Sequence, residues 1–404
     1  MTKRRSHSAK RKEVPHDPDR RKLLIAGGSV VALGLFGVLA PAIFRKSPLI
    51  PSGVSPALVP PVPSYGAGYD VSQQSSDPTI LFDALPSTIS DFTLEGMIET
   101  YKNRTYEADV FARRREEILR LTTFNKINEP PLRVEHVAEI RQEGYTYHLW
   151  RHQDAEEDLA KLGSRYQEFL DFVHHVIQQG IVHTRDAFVG PVREFDFIFQ
   201  HLDLGTNNET LPLSSFVRLN TARWVKYFLR EANTYDLESL SATLEHELYH
   251  VHSFVTTRFY GQNPLARPKF LREFPAMFAE IDGRAVARGE HVTEELIRKE
   301  LDINFTFMRR RRVKINKDMR IGGDDQTYVP QATRAVGFYV AGVALRSLGS
   351  EKRFHAYLAG LMHEPLDSID AFNELNRRFD IRTSRGVLTY DQAIAGVQAL
   401  YNSI

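Results

Sequence analysis

Residues 23–44 form a run of 22 residues without a charged side chain, and basic residues stand directly before and after it. A helix of about 20 apolar residues is long enough to cross a bilayer. The heavier positive flank, Arg20 to Lys22, precedes the run. By the positive-inside rule, residues 1–22 are expected to form a basic cytoplasmic tail. We therefore expect a transmembrane signal anchor that holds an extracytoplasmic body at the membrane.

Two other interpretations of this run stay open. Its start, RRKLL, resembles a twin-arginine signal, and Ala40 to Ala42 form an imperfect small-residue cleavage site, which would give a protein secreted after signal cleavage. A buried core helix is the third interpretation, although so long an apolar run seldom begins a soluble domain. Residues 45–86 contain eight of the twenty prolines, and such a composition predicts an extended linker.

Charge and cysteine content exclude several classes of function. Residues 1–46 carry a net charge of +8, and because the whole chain carries +1, the remaining body carries −7. A net acidic body disfavours binding to nucleic acid, which requires clustered cations on the folded surface. The chain has no cysteine, which excludes disulfides, thiolate zinc sites and cysteine nucleophiles.

Hydrophobic periodicity divides the body into an earlier part with strands and a later part that is nearly all helical. Residues 87–143 are expected to form a helical N-terminal region, with β-type alternation beginning near Arg133. Residues 144–404 are expected to form one domain, in which strands at 195–199 and 215–219 precede the helices. This order predicts an α+β fold with a small mixed sheet packed beside a mostly helical lobe.

One predicted helix carries the candidate metal ligands and a candidate catalytic base. Between residues 236 and 254, leucine and valine recur every three or four positions, which predicts an amphipathic helix. It contains the HExxH pattern, with His246 and His250 on one face where both can bind one metal ion. Zinc suits imidazole ligands and acidifies a bound water, and Glu247 is placed to accept its proton. The alternative is a purely structural pair of histidines.

A third metal ligand must come from another segment, because catalytic zinc normally takes three protein ligands. Two carboxylates in residues 271–283 qualify, Glu273 and Glu280. Their separation of seven residues places them on the same face of a helix. His252 falls on a different face from His250, so we expect it to support the site indirectly or to lie on the surface.

The HExxH helix followed by a glutamate-bearing segment resembles the thermolysin and aminopeptidase N group of zinc peptidases, the gluzincins. In that group the third ligand is a glutamate on a later helix, often in an E-x-x-A setting. The stretch from Glu273 to Ala276 is similar to this setting, so the resemblance implies Glu273 as the third ligand, with Glu280 as the alternative. Met277 departs from the pattern, since a carboxylate or amide often stands there.

A second similarity lies downstream. The stretch from Tyr339 to Leu358 is similar to the YEKG-type helix of aminopeptidase N relatives, in which the tyrosine stabilises the oxyanion. The resemblance thus implies a catalytic role for Tyr339, although Val340 and Ala341 replace the Glu-Lys pair of the family. An ordinary aromatic residue packed on a helix is the other interpretation of Tyr339.

The resemblance implies zinc-dependent hydrolysis of a peptide or protein substrate, with Glu247 as general base. The departures at Met277 and Val340 keep a second hypothesis open, a catalytically degenerate scaffold that serves as a cell-surface binding or assembly module. A zinc hydrolase for a non-peptide amide, such as one in the cell wall, is a third. The presence of Glu247 favours an enzyme, because a binding scaffold has no need of a base between two ligands.

Overall fold

The computed structural model describes residues 82–106, 134–142, 144–202, 207–211, 215–230, 234–262, 269–313, 315 and 330–403. The predicted cytoplasmic tail, the membrane segment and most of the linker lie outside the described residues. Among the helices of these ranges, none combines the length and the apolar character needed to cross a bilayer.

A mixed sheet of five strands forms one side of the body. Its order is β1-β2-β3-β5-β4, with β2, β3 and β5 parallel and with β1 and β4 antiparallel at the two edges. The strands are β1 Val134–Gln142, β2 Tyr145–His152, β3 Glu194–Gln200, β4 Asn208–Thr210 and β5 Phe216–Asn220. A two-stranded antiparallel sheet lies near the C-terminus, formed by β6 Arg382–Thr383 and β7 Gly386–Val387.

Helices make up most of the remainder, and the described residues contain eleven of them. They are α1 Asp91–Lys102, α2 Glu156–Ala160, α3 Tyr166–Ala187, α4 Thr221–Leu229, α5 Thr234–Phe259, α6 Lys269–Arg288, α7 Glu294–Arg310, α8 Pro330–Leu348, α9 Glu351–His363, α10 Ile369–Arg378 and α11 Tyr390–Ser403. The predicted α+β class, with a small mixed sheet and many helices, is confirmed.

The expected boundary at residue 143 is not where the structure changes. Strand β1 lies within residues 87–143, where β-type alternation was expected to begin near Arg133, and it pairs along its length with β2. This hairpin crosses the expected boundary, so β1 belongs to the sheet rather than to a separate helical region. Helix α1 is the part of the expected helical region that the structure describes as helix.

Helix α5 lies at the junction of two hydrophobic cores. One face of the sheet buries Tyr147 and Leu149, and on α5 the side chains of Leu244 and Leu248 belong to the same core. Tyr249, on another face of α5, belongs to the second core, which is built from α6 to α11. Because both cores hold α5, the HExxH face is fixed between the edge of the sheet and the helical lobe.

Candidate metal centre

The face of α5 that carries His246 and His250 is covered by α6. The two helices approach each other closely at Gly283, where an added Cβ would lie 3.0 Å from both Cα of Ala242 and Cδ of Glu245. Only a residue without a side chain permits so close an approach. This packing brings the carboxylates of Glu273 and Glu280, which share one face of α6, to the histidines of α5.

His246, His250 and Glu273 bring three ligand atoms together. Nε2 of His246 lies 3.1 Å from Nε2 of His250. Oε2 of Glu273 lies 3.8 Å from the first of these nitrogens and 3.4 Å from the second. Ligands about 2.0–2.1 Å from a tetrahedral ion stand about 3.3 Å apart, so the spacing of these atoms would allow one metal ion to contact all three. The side chain of Glu273 is 21% exposed, which leaves one side of the set open to solvent.

Glu280 approaches the other nitrogen of His246. Its Oε2 lies 3.6 Å from Nδ1, while Nε2 of the same ring faces Glu273. A carboxylate on the far nitrogen fixes the tautomer and the orientation of a ligating histidine. Glu280 is itself held by Arg334 of α8 and by Arg284, whose Nη2 donates to Oε1 over 3.3 Å. Glu280 therefore lies on the far side of the His246 ring, whereas Glu273 lies with the two Nε2 atoms.

The charges at this site favour a cation. Burial would lower the pKa of His246, but the carboxylates of Glu273 and Glu280 outweigh it and raise that pKa to about 10. Burial would raise the pKa of Glu280, yet Arg334 and His246 hold it well below its usual range. Likewise, the two histidines outweigh burial and lower the pKa of Glu273. The carboxylates therefore give this site a negative charge that favours a cation.

Glu247 is held by the edge strand β4. Its Oε2 accepts a hydrogen bond from the backbone N–H of Thr210 over 2.7 Å, and the hydroxyl of Thr210 donates to the backbone carbonyl of Glu247 over 2.9 Å. The side chain of Asn208 donates to the hydroxyl of Thr243 on α5 over 3.0 Å. These bonds fasten the sheet edge to the helix. Sequence reasoning missed Thr210, because β4 is short and polar and has no apolar alternation.

His252 is not part of the metal-binding group. It is fully buried, its Nδ1 accepts from the backbone N–H of Val192 over 3.1 Å, and its Nε2 lies 3.3 Å from the hydroxyl of Thr184. An added Cβ at Gly190 would lie 2.5 Å from its ring. The expectation that it is not a ligand agrees with this position. The suggested surface position is wrong, because His252 is buried and contacts the segment that connects α3 to β3.

The structure does not bring Tyr339 to the two histidines of α5. On α8, the residue that faces α6 is Gly337, where an added Cβ would lie 3.3 Å from the carbonyl of Phe274. Two residues later, Tyr339 points to the opposite side of the helix. Its ring lies against Gly396 of α11, and its centroid is 6.1 Å from that of Phe82. It is an aromatic residue of the helical core.

A buried ion-pair network lies beside the ligands and was not predicted. Nδ1 of His183 lies 2.8 Å from Oε2 of Glu245, and its Nε2 lies 3.0 Å from Oδ2 of Asp282. Nε2 of His355 lies 3.2 Å from the other oxygen of Asp282. Burial would lower the pKa of His183, but the two carboxylates raise it well above its ordinary value. The network joins four helices, among them both helices that carry the ligands.

No family model matches the chain, and no curated protein matches it.

Proposed function

We propose that this protein is a zinc-dependent peptidase of gluzincin type, anchored by residues 23–44 with its body outside the cytoplasmic membrane. The observation that carries the proposal is the convergence of Nε2 of His246, Nε2 of His250 and Oε2 of Glu273 within 3.8 Å of one another, with Glu247 next to His246 on the same helix. When bound there, zinc supplies a Lewis acid that polarises a carbonyl and acidifies water.

The protein's own groups supply the proton transfers. Glu247 accepts the proton of the water that attacks the peptide carbonyl and then passes it to the nitrogen of the departing amine. The hydrogen bond from Thr210 to Oε2 fixes the carboxylate, so Oε1 is the oxygen that takes the proton. Glu280 and Arg334 keep His246 oriented throughout.

The edge strand supports a peptide as the substrate. On either side of β4, the carbonyl of Asn207 accepts from the N–H of Asn220, and the N–H of Leu211 donates to the carbonyl of Phe216. In an antiparallel pair this leaves the backbone groups of Asn208 and Thr210 on the side away from β5. The outward carbonyls can pair with an extended chain, as in β-strand addition. A strand bound there would run directly beside Glu247.

One observation favours the second candidate, a degenerate scaffold that binds without cleaving. Tyr339, which the family resemblance implied as the oxyanion donor, packs against Gly396 instead. A donor of this kind is worth about 10²–10³-fold in rate. The enzyme is nevertheless the better supported candidate, because Glu247 is held in position by Thr210 and a mere scaffold requires no such contact.

Removing and restoring the metal tests the proposal. The full-length chain, purified with zinc, is expected to cleave peptides from a broad library, to lose this activity on chelation and to regain it when zinc is added back. His250→Ala should lose the activity and not regain it, because one of the three ligands is gone. Cleavage that persists after chelation would exclude the metal mechanism. Absence of cleavage in the zinc-loaded chain would favour the binding scaffold.

A further inference from the structure

The outer face of the β1–β2 hairpin gathers a second set of ligand-type side chains, far along the chain from the HExxH helix. His136 and Glu139 lie on β1 and His148 lies on β2, and one ligand atom from each lies within 4.8 Å of the others. The set has two imidazoles and one carboxylate, the same composition as His246, His250 and Glu273.

A bulge in β1 brings these side chains to one face. Glu139 pairs directly with His148, and His136 pairs with Trp150, with a register shift between His136 and Ala138. In a regular strand, residues three apart point to opposite faces. The extra residue at the bulge turns His136 onto the same face as Glu139 and His148, and bulges re-aim side chains in this way at functional sites.

The ligand atoms stand at distances suited to one ion. Nε2 of His136 lies 3.4 Å from Nδ1 of His148, and Oε2 of Glu139 lies 3.7 Å from the same Nδ1. Tetrahedral ligands about 2.0–2.1 Å from an ion stand about 3.3 Å apart. The other oxygen of Glu139 is paired with Arg141, so Oε2 is the oxygen turned toward the histidines.

The contacts of His148 suit the tautomer that a metal ion requires. Its Nε2 lies 3.2 Å from Oε1 of Glu194 on β3, while its Nδ1 faces His136 and Glu139. A proton on Nε2 that is donated to Glu194 leaves the lone pair of Nδ1 directed at the site, which is the usual arrangement of a ligating histidine. The imidazole of His148 is almost fully buried, so its orientation is fixed.

We propose that His136, Glu139 and His148 form a second metal site, independent of the proposed peptidase centre, that binds a divalent transition metal such as Zn²⁺. Imidazole ligands select zinc, copper or nickel over calcium or magnesium, which prefer oxygen ligands alone. His136 and Glu139 lie at the surface, so the ion reaches the site from solvent without unfolding of the hairpin.

Equilibrium dialysis of the full-length chain against excess Zn²⁺ tests this site. The wild-type chain is expected to bind two zinc ions and His136→Ala one. His136 is exposed, so its substitution should leave the fold intact, and circular dichroism verifies this. His175→Ala, which removes another exposed histidine, is the matched control and should bind two. Glu194→Gln keeps all three ligands and should weaken the second site by about 10–100-fold.

His250→Ala separates this proposal from the proposed function. If both sites exist, this variant binds one zinc ion, and combining it with His136→Ala leaves none. If the peptidase centre binds no metal, the wild-type chain binds one ion, His250→Ala still binds one and His136→Ala binds none. Equal zinc content in wild type and His136→Ala would overturn the second site, as would an equal loss of zinc in His175→Ala.

Discussion

The backbone N–H of Thr210 donates a hydrogen bond to Oε2 of Glu247 over 2.7 Å. This bond joins the last residue of the edge strand β4 to the proposed general base. The carboxylate therefore has a fixed position before any substrate binds. It also places the strand that would hold a peptide next to the group that would transfer the proton.

Thr210→Pro removes this N–H, and Thr210→Ala keeps it while removing the hydroxyl. Proline is tolerated here, because the N–H of an edge strand that points away from its partner takes no part in the ladder. A hydrogen bond to a charged group contributes about 1.5–3 kcal/mol, so the proline variant should hydrolyse peptides about 10–100-fold more slowly. The alanine variant should stay near the wild-type rate. Equal rates in all three proteins would show that the bond has no role in catalysis.

Glu273 and Glu280 are expected to affect zinc binding to different degrees. Glu273→Gln removes a ligand and should empty the site. Glu280→Gln leaves the three ligands in place and should weaken zinc binding by about 10–100-fold, because His246 loses the carboxylate that orients it. Competition with a chelator of known affinity measures the zinc affinity of both variants. A larger loss in Glu280→Gln than in Glu273→Gln would reverse the two assignments.

Tyr339→Phe is expected to leave peptide hydrolysis unchanged. The ring of Tyr339 packs on Gly396, and the loss of its hydroxyl removes nothing that faces His246 or Glu247. Steady-state rates of peptide hydrolysis by the wild-type chain and by Tyr339→Phe test this expectation. A loss of about 10²–10³-fold, the effect of removing an oxyanion donor, would mean that Tyr339 reaches the substrate after all.

The grouping of the candidate ligands was predictable because it depends on spacing within single helices. Spacing of four residues puts His246 and His250 on one face of any helix, and spacing of seven does the same for Glu273 and Glu280. Pairing and packing between segments far apart in the sequence were not predictable. Strand β4 exists because it pairs with β5, and Arg334 reaches Glu280 only through the packing of α8 on α6.

For two further features, neither similarity to a motif nor regular alternation along a strand gives the position of the side chain. The similarity around Tyr339 suggested a catalytic residue, but Gly337 is the residue that permits contact with α6, and this rotates Tyr339 to the other side of α8. On β1, strict alternation would separate His136 from Glu139. The bulge that unites them depends on pairing with β2 and leaves no mark in the sequence.

His363 is expected to make the folded state less stable in mild acid. Its Nε2 donates to the carbonyl of Val189 over 2.6 Å, its Nδ1 accepts from Tyr106, and its ring stacks on Tyr101 at 4.9 Å. Burial lowers the pKa of His363 from its ordinary 6.5 to about 4, with help from Arg104. The unfolded chain therefore binds a proton more readily, so this contribution to stability is present above pH 6.5 and is lost as the pH falls toward 4.

Urea unfolding at pH 7 and pH 5 measures this effect. Between these values the wild-type chain should lose about 2 kcal/mol more of its free energy of unfolding than His363→Gln, whose side chain does not titrate. The comparison cancels the contributions of other groups that titrate in the same range. Equal losses in the two proteins would show that His363 is not held neutral in the folded state.

Glu247→Gln tests the central claim most directly, because it separates the proposed catalytic base from the metal ligands. The variant keeps His246, His250 and Glu273, so it should bind as much zinc as the wild-type chain and unfold at the same urea concentration. General-base catalysis contributes about 10²–10⁴-fold, and we expect peptide hydrolysis by the zinc-loaded variant to fall by at least that factor. Hydrolysis at the wild-type rate by zinc-loaded Glu247→Gln would contradict the proposed mechanism.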